Sequence, residues 1–132
     1  MQKTLVIHSD LDAAREAENR LLQEVARHGY GEASTFAIKL ALEEGISNAI
    51  KHGNRFDPAK TVRIAYSVSP ERIAVTITDE GEGFDPASVA DPTADENLEK
   101  PTGRGIMLMR AYMDEVGYND KGNQVRMVKR NT

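Results

Sequence analysis

Thr35-Phe36-Ala37-Ile38-Lys39-Leu40-Ala41-Leu42-Glu43-Glu44-Gly45-Ile46-Ser47-Asn48-Ala49-Ile50-Lys51-His52-Gly53-Asn54 is the stretch on which the reading of the whole chain depends. At about 100° per residue, Ile38, Leu42, Gly45, Ile46 and Ala49 fall on one face of a helix. Glu44 and Asn48 stand one turn apart, and His52 follows at the same spacing, so the three climb one flank. That flank borders the apolar stripe instead of opposing it. Glu43 is turned away by roughly 100°, toward solvent with Lys39 and Ser47. Glu44, not Glu43, therefore shares a half-buried groove with Asn48. A carboxylate and a carboxamide on a groove edge can bind a metal or polarise a hydroxyl. Taken alone, the same pattern also describes a solvated flank with an internally satisfied Glu–Asn pair.

Composition narrows the classes. At 132 residues the chain is expected to form one domain, residues 1–132, long enough for a substantial core. A net charge of −4 argues against nonspecific nucleic-acid binding, which needs a basic footprint. The scarcity of aromatics argues against base stacking as the main binding mode. No apolar run approaches the ~20 residues of a membrane-spanning helix, and the N-terminal residues do not read as a signal peptide. With no cysteine there is no disulfide framework, thiol nucleophile or Cys-zinc site. The expected location is the cytoplasm.

Around the opening helix the chain reads as follows. Residues 3–8 form a short strand containing Val6–Ile7. Ser9 or Asp10 caps a helix that runs to about His28 and ends at Gly29-Tyr30-Gly31. The opening helix spans about 33–52 and stops at Gly53-Asn54. Thr61–Ser69 and Ile73–Asp79 each alternate apolar and polar residues, and Pro70-Glu71-Arg72 joins them as a hairpin. A long acidic stretch carrying Asp91, Asp95, Glu96 and Glu99 reaches Thr102. It reads as a functional lid, a partner surface or a disordered loop. A helix from Ile106 to about Met113 precedes two closing strands, Glu115–Tyr118 and Val125–Lys129. Helices and strands do not alternate as βαβ units. The expected fold is α+β, a two-layer sandwich with helices packed on one face of a mixed, mainly antiparallel sheet.

Two glycine motifs bear on the groove. Asp79-Glu80-Gly81-Glu82-Gly83 ends a buried strand. Its Asp79 can accept a hydrogen bond from an amine, and its glycines let backbone approach a flat ligand. It is not a dinucleotide fingerprint, because a third glycine and a βαβ unit are missing. Gly103-Arg104-Gly105 opens a helix whose free N–H groups and positive dipole end suit phosphate oxygens, with Arg104 adding a charge-assisted contact. It lacks the Gly-Lys-Ser/Thr of a P-loop. Each motif by itself is equally a turn or a helix start.

In order the chain gives Glu44-x-x-x-Asn48-Ala49-x-x-His52-Gly53-Asn54, then Asp79-x-Gly81-x-Gly83-Phe84-Asp85-Pro86, then Gly103-Arg104-Gly105-Ile106. From about Leu5 to Lys129 this resembles the Bergerat-fold ATPase superfamily, which includes gyrase and the histidine kinases. More narrowly, it resembles the anti-sigma-factor serine/threonine kinases. The resemblance implies a Bergerat ATP-binding fold using ATP and Mg²⁺. It implies Mg²⁺ held at Asn48, Glu44 as general base and Asp79 recognising the adenine amine. It implies Gly81 and Gly83 shaping the adenine pocket, and Gly103, Arg104 and Gly105 cradling phosphate behind the lid. His52 is a further contact candidate on the same flank, beside a purely structural role. The closing strand of such proteins often begins Gly-Thr. Here Gly122 is followed by Asn123, whose amide would take the hydroxyl's place.

The implied function is phosphoryl transfer to a serine or threonine of a small anti-sigma-factor antagonist of the STAS class. A sigma factor is a second partner, and a homodimer is the expected assembly. The alternative is a nucleotide-gated module that sequesters a sigma factor or other regulator without phosphoryl transfer. A detached histidine-kinase catalytic domain fits less well, since no helical hairpin bearing a phospho-acceptor histidine precedes the first helix.

Overall fold

A computed structural model describes residues 2–83 and 103–131. Phe84-Asp85-Pro86 and the acidic stretch up to Thr102 lie outside the described residues, as do the surroundings of the Gly103 and Arg104 side positions. The elements run β1 (Lys3–His8), α1 (Leu11–Arg27), α2 (Glu32–Asn48), a π-helical turn (Ala49–Gly53), β2 (Thr61–Val68), β3 (Arg72–Thr78), α3 (Gly103–Tyr112), β4 (Glu115–Tyr118) and β5 (Gln124–Arg130). Among the described residues no helix is long and apolar enough to cross a membrane.

The five strands form one sheet in the order β1-β2-β3-β5-β4. Every pairing is antiparallel, so the sheet expected to be mixed and mainly antiparallel is antiparallel throughout. Register follows the alternation read from sequence. Ile64 faces Ile77 and Tyr66 faces Val75 across the β2–β3 hairpin, and Val75 faces Met127 on β5. This places the apolar members of all three strands on the side that the helices cover.

α1 starts where a short polar side chain can cap it: Asp10 Oδ1 accepts from the N–H of Ala13 at 2.8 Å. Ser9 has a different task and is buried. The helix ends at Gly29, whose φ of +74° only glycine adopts without strain. α2 lies at the centre, with Ile38, Leu42 and Ile46 fully buried, and the π-helical turn adds the fully buried Ile50. Each such side chain contributes about 1.5–3 kcal/mol of burial. Gly45 lets α2 approach the sheet closely, since a Cβ there would lie 2.8 Å from the Ile77 Cδ1. Met109 of α3 completes the core from the other side.

Two features depart from expectation. The opening helix occupies its expected span, but its last turn widens into a π-helical turn. Four α-helical residues overshoot one turn by about 40°. The slower winding of an i→i+5 turn brings His52 back toward the line of Asn48, and such turns recur at functional sites. Glu43 is half-buried instead of solvated. It faces α1, where its charge acts on Glu18, and α1 packed against this flank of α2 is what removes it from solvent.

Candidate nucleotide-binding site

A cleft of about 440 Å³, counting its open mouth, lies between the end of α2 and the sheet. Asn48, His52 and Gly53 form the helical wall. Asp79 and Gly83 form the strand-end wall. Tyr118, Gly122, Asn123 and Gln124 close the far side, with Ile77 and Val125 as an apolar floor. An apolar slot with an acceptor at one rim and a carboxamide at another suits a flat heteroaromatic ring carrying a polar tail.

Asn48 stands out on the helical wall. Its Nδ2 is buried and has no hydrogen-bond partner among the described residues. A buried amide left unpaired costs about 1–3 kcal/mol. The satisfied Glu–Asn pair that was the alternative reading of this flank would have engaged it. Instead the carboxamide is presented to the cleft. A half-turn of the amide puts Oδ1 in the same place, so the group can meet a donor, an acceptor or a hard cation.

Asp79 is fixed by its own turn. Its N–H donates to the Asn123 carbonyl at 2.9 Å, and its Oδ1 accepts from the N–H of Gly81 at 2.8 Å. Burial pushes its carboxyl above the usual carboxylate range. The Gly81 N–H, and the Lys121 and Lys60 ammonium groups, pull it back. Asp79 lines the cleft from a half-buried position, and its carboxyl oxygens can accept a hydrogen bond there.

The glycines of this motif act differently from the sequence reading. Gly81 is buried and does not line the cleft. A Cβ on Gly81 would lie 2.1 Å from the Gly53 carbonyl oxygen. A Cβ on Gly53 would lie 2.3 Å from the Asp79 Cγ. Gly83, at φ +81°, packs on the Lys121 carbonyl and does line the cleft. These residues are glycines first because the protein packs against itself there. The strand-end turn is pressed directly on the π-helical turn.

Of the other expected residues, Asn123 lines the cleft, but both ends of its amide serve the protein. Its Nδ2 donates to the Asp79 carbonyl at 3.2 Å, and its Oδ1 accepts from Asn119 at 2.7 Å. Glu44 is half-buried one turn before Asn48 and is not among the residues lining the cleft. Gly103, Arg104 and Gly105, read from sequence as the entry to a helix counted from Ile106, form the first turn of α3 itself. Gly105 is buried.

Sequence reasoning missed Tyr118. Burial pushes its phenol up to about 12 against the opposing pull of Arg110, so it stays neutral at any ordinary pH. The inward alternation of Val116 and Tyr118 on the closing strand was the available signal.

Comparisons with known proteins agree with this geometry. The histidine kinase-like ATPase domain matches residues 7–129. An anti-sigma F factor of Clostridium perfringens is 34% identical over 99 residues, covering 70% of this chain and 70% of that protein. The serine-protein kinase RsbW of Oceanobacillus iheyensis is 29% identical over 110 residues, covering 78% of this chain and 70% of that protein. A crystal structure of the RsbU and RsbW domains of Rv1364c from Mycobacterium tuberculosis superposes with a TM-score of 0.64 at 15% identity, covering 99% of this chain and 32% of that one, which shows a shared fold. With an Asn48–Asp79 cleft at the end of its central helix and a match spanning nearly its whole length, the chain belongs to the histidine kinase-like ATPase domain family, in the group of the anti-sigma F factors and RsbW kinases.

Proposed function

We propose that this chain is an ATP-dependent serine kinase of the anti-sigma-factor type. It transfers the γ-phosphate of ATP to a serine or threonine of a small STAS-class antagonist and exchanges that partner with a sigma factor. The observation that carries the reading is Asn48, whose Nδ2 is buried and unpartnered among the described residues and which lines the same cleft as Asp79. Its group of relatives, named for anti-sigma and serine-kinase activity, supports the choice of substrate class.

Asp79 accepts a hydrogen bond from the adenine amine, and the apolar floor at Ile77 and Val125 takes the ring. The donor set at Asn48 fits Mg²⁺, a hard cation that is satisfied by one amide oxygen with phosphate and water. Among the described residues no group of three His, Asp or Glu could hold a metal alone. When bound, Mg²⁺ neutralises phosphate charge. The resemblance puts the phosphate tail at the first turn of α3, Gly103 to Gly105, with Arg104 as its cation. Glu44 takes the proton of the attacking hydroxyl as general base. The same reading carries a cytoplasmic location and a homodimer, and sedimentation of the purified protein tests the dimer.

A second reading is favoured by one observation. Glu44 does not line the cleft, which suits a nucleotide-gated module that captures a regulator without transfer. Incubation with γ-labelled ATP, Mg²⁺ and a STAS-class antagonist separates the two. Label on the antagonist that disappears in Glu44→Ala supports the kinase. Tight capture with no labelled product supports the module. Transfer that survives Glu44→Ala removes Glu44 as the base.

A further inference from the structure

Asn54 follows the π-helical turn and is 1% exposed, one of few polar side chains buried in the described chain. Its Nδ2 donates to Ser9 Oγ and to the Thr61 carbonyl, both at 2.9 Å. Its Oδ1 accepts from the N–H of Glu80 at 2.8 Å. One carboxamide thus ties the β1–α1 corner and the start of β2 to the turn that leaves β3. Glu80 returns the tie, since its Oε2 accepts from the Thr61 N–H at 2.5 Å. Glu80 sits between Asp79 and Gly81. The peptide N–H before it is held by Asn123 and the one after it by the Asp79 carboxylate itself. The N–H between them is held by Asn54 alone among the described residues.

We infer that Asn54 is a positioning residue for base recognition: by holding the Glu80 N–H it fixes the direction of the Asp79 carboxylate, and so sets the preference for adenine over guanine. This rests on the nucleotide reading proposed above. Adenine presents an amine donor where guanine presents a carbonyl acceptor. A carboxylate held at that edge accepts from one and repels the other. A carboxylate free to swing loses the distinction before it loses the ring, because the apolar floor does not depend on Asn54.

The test is the ratio of dissociation constants for GTP and ATP, read by competition against a fluorescent adenine nucleotide, alongside thermal melting. Asn54→Ala is expected to lower the ratio by about tenfold or more. Ser9→Ala removes an Asn54 partner on the far side and is expected to lower the melting temperature while leaving the ratio within about twofold of wild type. Asn54→Asp keeps an acceptor for the Glu80 N–H but cannot donate to Ser9 or Thr61. It is expected to be less stable yet to retain the ratio, and it decides the matter if the alanine variant does not fold. A wild-type ratio in Asn54→Ala, or a collapsed ratio in Asn54→Asp, overturns the role of Asn54 alone. A wild-type protein that binds ATP no better than GTP overturns the assignment of Asp79 to adenine, and one that binds neither overturns the nucleotide reading with it.

Discussion

Two glycines that face each other should fail in opposite ways. In Gly81→Ala the new Cβ meets backbone: the Gly53 carbonyl oxygen at 2.1 Å, its carbon at 2.6 Å and the Gly53 Cα at 2.9 Å. No rotamer relieves this. Ordinary contact begins near 3.4 Å, so the strand-end turn and the π-helical turn must separate by about 1.3 Å. Overpacking of that kind costs about 1–3 kcal/mol, and the rigid neighbour places it at the upper end. For a domain of this size that is a fall in melting temperature of roughly 10 °C. In Gly53→Ala the new Cβ meets a side chain, the Asp79 carboxylate, at 2.3–2.6 Å. Rotation of Asp79 away from the cleft removes the clash, so the melting temperature should fall much less. ATP affinity should instead fall by about tenfold or more, since one hydrogen-bonded contact to a charged group contributes about 1.5–3 kcal/mol. Thermal melting and calorimetric titration with Mg-ATP read the two effects separately. If Gly81→Ala melts with the wild type, or Gly53→Ala binds ATP normally, the packing of these turns is not what their glycines serve.

Asn48→Ala should leave stability unchanged or raise it by about 1 kcal/mol, because it removes an unpaired buried amide, while abolishing the heat of Mg-ATP binding in titration. Glu18 supplies a pH test. Burial first, and Glu43 second, push its carboxyl up to about 7, against the opposing pull of Lys39 and Arg15. The folded state therefore keeps a proton that the unfolded chain releases near 4.5. Stability from this group is present below that value and is lost as pH rises through about 7. Glu18→Gln should match the wild type at pH 4.5 and exceed it at pH 8 by about 1–2 kcal/mol, after discounting for solvent. Denaturant melts at the two pH values measure the difference, and equal gains at both would remove the assignment. Leu42→Ala should cost about 2–5 kcal/mol from the fully buried face of α2, read by the same melts.

What could be read from the sequence was what periodicity carries. The stripe Ile38–Leu42–Ile46 predicts the buried face of α2 because spacing alone decides which residues share it. The alternation in Thr61–Val68 and Arg72–Thr78 predicts the inward residues of the hairpin for the same reason. Glu43 escaped because the element that covers it, α1, lies far back in the chain. A helical wheel shows where a residue points, not what arrives there. Asn48 was legible as a position, but its unpaired state was not, since a Glu–Asn pair at one-turn spacing reads as satisfied until the geometry shows otherwise.

The glycines make the sharper case. A sequence shows that a Cβ is missing at residues 53, 81 and 83, but not which atom occupies its place. The motif was read as room for a ligand. The atoms in that room belong to Gly53, Asp79 and Lys121. On the proposed reading the motif still serves the ligand, one step removed. Pressing the Asp79 turn onto the end of α2 holds the acceptor and the Asn48 carboxamide on opposite rims of one slot. Asn54 then ties that junction to β1 and β2. On the proposed reading, the nucleotide site is a property of how two turns pack, and its residues fall into two kinds. Asn48 faces the cleft and should be costly to binding alone, while Asp79, which faces it too, also holds the Gly81 N–H. Gly81 and Asn54 hold the turns and should be costly to stability as well, which is the separation that the melts and titrations above resolve.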